Sequence, residues 1–126
     1  MSVDIDSIGE DIGLFDAIRT TRAIRRLKSD PVPVELIRKV CEAGTFAPSG
    51  GNRQPWFFVA VMDQDKRAFI AKKYNETFQS YIEPAKVAAQ SPDYPEAKRR
   101  NMKAAIYLAE HLHEAPVHLF VAGWTR

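Results

Sequence analysis

The sequence predicts one domain that mixes helices with β-strands, and three observations carry this. Two apolar runs, Trp56–Met62 and Val117–Gly123, have the length and the aromatic and branched content of buried strands. Two longer stretches, Val34–Phe46 and Pro95–His113, repeat their apolar residues every three or four positions, as a helix with one packed face does. The length of 126 residues suffices for one real core and is too short for two comfortable ones.

Composition narrows the class further. Hydrophobic residues make up 45% and charged residues 27%, ordinary values for a water-soluble domain. A net charge of +2 carries no global signal for nucleic acid or membrane binding. A single cysteine excludes an internal disulfide and suits a reducing compartment. No apolar run resembles a signal sequence or a membrane span, so a cytoplasmic location is the default expectation.

Residues 1–12 carry Asp4, Asp6, Glu10 and Asp11 and read as a flexible leader. Leu14, Phe15, Ala17 and Ile18 suit one side of a short first helix, with Asp11 as its expected cap. Arg19–Lys28 follows, with five cations in ten residues and no acid. Pro31 and Pro33 force Ser29–Pro33 to be extended. In the helix Val34–Phe46, Leu36, Ile37, Val40, Cys41 and Gly44 share a stripe, which makes Cys41 a small core residue rather than a nucleophile. Gln64–Ala89 has helical character, and Pro84 is expected to break or bend it. The polar connection Gln90–Pro95 leads into a helix with Met102, Ala105, Ile106, Ala109 and Leu112 on one face. Asp93 or Tyr94 stands at its start and Pro95 suits its first turn. Ala115-Pro116 closes it. His111 and His113 lie two positions apart and cannot share a helix face, and His118 has no obvious partner. The three histidines read as structural or solvated, with no metal-ligand spacing. There are no internal repeats. Two strands do not make a sheet that stands alone, so the expectation is a partner's strands or a longer domain of which this is the front portion.

Two stretches hold chemistry. Ala47–Trp56 reads Ala-Pro-Ser-Gly-Gly-Asn-Arg-Gln-Pro-Trp. Pro48 disfavours helix at Ala47, so the incoming helix should stop there. Gly50-Gly51 lets a ligand approach the main chain closely. Ser49, Asn52, Arg53 and Gln54 add hydroxyl, amide and guanidinium groups, and Pro55 fixes the exit. Such a loop suits a flat polar ring. In the second stretch, Arg22, Arg25 and Arg26, with the Thr20 and Thr21 hydroxyls, suit a phosphate monoester through charge-assisted hydrogen bonds. A solvated basic face is the competing reading of that run. A nucleic-acid patch fits less well, because no aromatics interleave with the cations.

Together, the arginine-rich turn, the Asp30-Pro31-Val32-Pro33 start of a helix and the Pro-Ser-x-x-Asn-x-Gln-Pro-Trp loop closely resemble the N-terminal half of the nitroreductase family of flavin-dependent oxidoreductases. Glu114-Ala115-Pro116-Val117 and its strand resemble the family's next core strand. The resemblance covers about residues 14–123, and the loop motif is its most specific part.

The resemblance implies an α+β fold with a central, mainly antiparallel sheet flanked by helices, here ending after the second core strand. It implies a homodimer that builds two sites across its interface, each holding FMN without a covalent bond. By position, Arg22 and Arg25 match residues at the flavin phosphate and Arg26 is an adjacent candidate. Pro48, Ser49 and Asn52 match the loop that reaches the flavin, commonly from the other subunit, and Gln54 belongs to the same motif. Trp56 reads as structural, locking loop to sheet. Two departures stand out: Thr21 where the family often has arginine, and Ala23 where it often has serine or another polar residue. The implied reaction passes a hydride or electrons from NAD(P)H through flavin to a nitro compound, quinone or similar acceptor. It needs binding residues and no side-chain nucleophile or general acid, and no metal, membrane or nucleic acid. The alternatives are a flavin-binding module without turnover, a truncated member that cannot hold flavin, and a small basic nucleic-acid-binding protein.

Overall fold

In the computed structural model, which describes residues 4–124, the two apolar runs form β1 (Trp56–Val61) and β2 (His118–Gly123). They pair antiparallel in one two-stranded sheet, Trp56 opposite Gly123 and Val61 opposite His118. Antiparallel partners share a face, so Phe58 stands with Val121 and Phe57 with Ala122. The strands are less covered than their composition predicts. Phe57 is 47% exposed and Val121 66%, because among the described residues each strand has one neighbour and helices cover the sheet only in part.

The described residues also form four α-helices, α1 (Leu14–Thr20), α2 (Val34–Thr45), α3 (Gln64–Ala88) and α4 (Glu96–His111). The cap expected at Asp11 is instead Gly13, with no side-chain bond to the helix end. α2 follows the predicted period only in part. Ile37 is buried, but Val40 is more than half exposed. Gly44 lets α2 approach β1: a Cβ at this position would lie 3.2 Å from the Phe58 ring. Residues 4–11 run through turns against α2, where Lys39 Nζ donates to the Ile5 carbonyl at 3.2 Å and the Asp6 carbonyl at 2.5 Å and pairs with Glu10 at 3.2 Å.

α3 is capped by Asp63, whose Oδ1 accepts from Lys66 N at 2.9 Å. Contrary to expectation, Pro84 lies inside α3 without ending it. Pro84 and Ser80 are both exposed, so water can satisfy the carbonyl deprived of its N–H, while Phe78, Ile82 and Ala85 keep both sides of the proline packed. The core lies between α3 and α4: Phe78, Ile82 and Ala109 are buried, with Ala85, Met102, Ala105 and Ile106 against them. α4 starts one residue later than predicted, with Pro95 at the N-cap, and closes through a 3₁₀ turn, Leu112–Glu114. Among the described residues no helix is long and apolar enough to cross a membrane.

Two arginines stitch this half together. Arg67 Nε donates to the Met62 carbonyl at 3.2 Å, and its Nη1 donates to those of His113 at 2.9 Å and Ala115 at 2.5 Å, tying the end of β1 to the approach of β2. Arg99 donates to the carbonyls of Ala89, Ser91 and Tyr94 and pairs with Glu96, closing the α3–α4 connection. His118 serves a similar end. His118 is buried and its Nε2 donates to the Leu112 carbonyl at 2.9 Å, while among the described residues its Nδ1 has no partner.

Candidate functional site

The loop between α2 and β1 is a strapped cradle. A 3₁₀ turn occupies Gly50–Asn52, with Gly51 at φ 62°. Asn52 (φ 52°) and Gln54 (φ 47°) also adopt the left-handed region. Asparagine tolerates that region, but glutamine there is strained by about 1 kcal/mol or more and needs its surroundings to hold it. They do so. Gln54 N donates to Ser49 Oγ at 3.1 Å, Gln54 Nε2 donates to Asn52 Oδ1 at 3.0 Å, and Asn52 N donates to the Ser49 carbonyl at 2.9 Å. At the exit, Trp124 N donates to the Pro55 carbonyl at 3.0 Å, and the Trp124 ring stacks on Phe57 with centroids 6.2 Å apart. The contacts that tie the loop's exit to the sheet are made by Trp124 and Phe57.

These straps determine what the loop can offer. Ser49 Oγ accepts from the chain and keeps its own O–H to donate. Asn52 accepts through Oδ1 and keeps its Nδ2 hydrogens. Gln54 spends one amide hydrogen on Asn52 and retains its carbonyl oxygen. Arg53 N donates to the Gly50 carbonyl, its guanidinium has no hydrogen bond or ion pair among the described residues, and the loop is largely exposed. The free groups are mainly donors, so the loop suits a ligand edge rich in acceptors. Pro48 is exposed at the loop's entry.

Residues 21–29 form no helix, so Arg22, Arg25 and Arg26 do not share a helical face. Thr20 and Thr21 turn their hydroxyls onto α1, donating to the Asp16 and Ala17 carbonyls at 2.6 Å each. Their hydroxyl hydrogens are therefore not offered to a phosphate, contrary to the sequence reading. Arg22 is exposed and Arg25 half-buried, and neither has a hydrogen bond or ion pair among the described residues. Arg26 lies over the Tyr107 ring.

Within one chain the two groups are separate. The cradle leads into Trp56, at one end of the strand pair. The arginine segment passes Leu27 near His118, Leu119 and Phe120, toward the other end. No hydrogen bond or ion pair joins residues 22–26 to residues 48–54 among the described residues. Nor do three metal-ligating side chains cluster there.

The chain is 42% identical to iodotyrosine deiodinase 1 of Rattus norvegicus over 62 residues, covering 49% of this chain and 22% of that protein. It is 43% identical to NADH dehydrogenase of Thermus thermophilus over 67 residues, or 52% of this chain and 31% of the relative. It is 31% identical to 5,6-dimethylbenzimidazole synthase of Rhodospirillum rubrum over 109 residues, or 86% of this chain and 46% of the relative. The chain thus spans less than half the length of each of these relatives. The profile of the nitroreductase family matches residues 18–126, which takes in the arginine segment, the cradle and both strands. This chain belongs to the nitroreductase family.

Proposed function

We propose that the chain is an FMN-dependent oxidoreductase that moves reducing equivalents from NAD(P)H to a nitro compound, quinone or similar electron-poor acceptor. The observation that carries this reading is the division of labour between two donor sets. Arg22 and Arg25 are guanidinium groups without protein partners among the described residues. Ser49 and Asn52 are neutral donors fixed by the straps around Gln54. A flavin mononucleotide asks for both kinds, cations at its dianionic phosphate and neutral donors along the acceptor-rich edge of its ring. When bound, FMN supplies the redox chemistry.

The residues of this chain bind and orient. Arg22 and Arg25 hold the phosphate, with Arg26 beside them. Pro48, Ser49, Asn52 and Gln54 line the ring, and the donors there stabilise negative charge that accumulates on it during reduction. No side chain needs to act as nucleophile or general acid. We further propose that the site is completed in a homodimer, with the cradle of one chain facing the arginines of its partner. The separation of the two groups within one chain supports this, as do the exposed apolar side chains of Leu14, Phe15, Ile18 and Phe46, 62–80% accessible.

The test is an absorption spectrum after incubation with FMN and desalting. Retained flavin bands that bleach under NADH without oxygen, and return with a nitroaromatic or quinone, are the expected result. A colourless protein that also shows no heat of FMN binding overturns the reading. Replacing both Arg22 and Arg25 by alanine should weaken FMN binding about 100-fold, since each removes a charge-assisted contact.

A further inference from the structure

Arg26 is held in a different way from its two neighbours. Its guanidinium carbon lies 4.1 Å from the centre of the Tyr107 ring on α4. The ring of Tyr107 also stacks on His111, centroids 4.0 Å apart and planes 10° from parallel. Two groups each about 4 Å from one ring centre cannot share a face, so Arg26 and His111 lie on opposite sides of Tyr107. His111 is fixed in turn, its Nδ1 donating to the Tyr107 carbonyl at 2.9 Å. The next residue, Leu27, lines a cavity of about 300 Å³ with Ile70, Tyr74 and Phe120. The segment from 21 to 29 has no regular secondary structure, and its arginines make no hydrogen bonds or ion pairs among the described residues. Beyond Thr21, which bonds back to the Ala17 carbonyl, these two side chains are what ties the segment to α4 and the strand pair.

We propose that Arg26 is a positioning residue rather than a phosphate ligand. Stacked on Tyr107, it moors the irregular segment to α4 so that Arg22 and Arg25 keep one presentation. The proposal rests on the FMN reading above for what is presented, and on the stack alone for the mooring. A planar guanidinium can lie flat on the ring while a lysine ammonium cannot, so charge and mooring can be separated by substitution. A segment that holds its binding-competent arrangement only part of the time loses affinity in proportion to that fraction.

The experiment compares Arg26→Lys, Tyr107→Leu and Tyr107→Phe in the full chain, by the rate of limited tryptic cleavage within residues 19–28 and by titration with FMN and with riboflavin, which lacks the phosphate. Arg26→Lys and Tyr107→Leu should speed tryptic cleavage after Arg22 and Arg25 and weaken FMN about tenfold while leaving riboflavin unchanged. Tyr107→Phe, which keeps the ring, should match the unaltered protein. The double variant Arg26→Lys with Tyr107→Leu should be no weaker than either single one. If Arg26 touches the phosphate directly, Tyr107→Leu will leave FMN affinity intact, and the proposal falls. Equal losses for riboflavin and FMN would mean a general loss of fold and overturn it as well. If the unaltered chain binds no FMN, the functional reading fails by itself. Cleavage then decides the mooring: faster cutting after Arg22 and Arg25 in Tyr107→Leu sustains it, and an unchanged rate ends it.

Discussion

The back of the molecule and its front treat the same residue types in opposite ways. Behind, where α3 packs on α4, Phe78 and Ile82 are buried while Phe69 and Tyr81 of the same helix stay exposed, and Arg67 and Arg99 each reach three backbone carbonyls. In front, from α1 to the cradle, Phe15 and Phe46 are 68% and 80% exposed, and Arg22 and Arg25 reach nothing among the described residues. An aromatic or an arginine thus has no fixed role; its surroundings decide whether it holds the fold or meets something else. Groups already satisfied within the chain can be assigned to stability. Groups left unsatisfied are where binding is to be sought.

The sharpest way to break this contrast is to truncate one aromatic in each half. Phe78→Ala should cost about 3 kcal/mol in chemical denaturation, since it empties the only buried cluster among the described residues. Phe46→Ala should shift a single chain's stability by less than about 0.5 kcal/mol. A larger loss that grows with protein concentration would show Phe46 covered by a second copy.

The arginines allow a second comparison of intermediate size. Arg67→Ala should destabilise by about 2 kcal/mol, because three carbonyls lose a charged donor at once. Arg25→Ala should leave the denaturation midpoint in place and register only in FMN affinity. Equal effects on stability would erase the distinction.

The smallest effect concerns an exposed pair. Lys73 donates to Glu76 at 2.8 Å and holds the Glu76 carboxyl below its ordinary value of 4.5. A carboxyl whose folded value is lowered contributes stability above that ordinary value and loses it as pH falls through the folded one. The melting difference between the protein and Glu76→Gln should therefore be present near neutral pH and be lost as pH falls below the ordinary value of 4.5 and through the folded one. It should shrink in about 1 M salt, because exposed pairs are screened.

Much of this arrangement is legible in the residues themselves. The strands announce themselves by composition, and α2 and α4 by period, since burying one face imposes that spacing. The cradle is marked by Pro48, Gly50-Gly51 and Pro55, whose backbone limits act locally. Pro84 misleads because a local rule there meets helix packing on both sides. The left-handed Gln54 is invisible in sequence because no residue type demands it; its strain is held by Ser49 and Asn52. Conformation across residues 21–29 is equally hidden. It has no period, and the ring that meets Arg26 belongs to a distant helix.

The bond from Trp124 to Pro55 has an optical consequence. The protein has two tryptophans, Trp56 and Trp124. One begins β1 and the other follows β2, so both indoles sit at the mouth of the cradle. Oxidised flavin absorbs where indole emits. A flavin seated on Ser49 and Asn52 would drain the emission of both by energy transfer, and intrinsic fluorescence would follow the cradle's occupancy without any label.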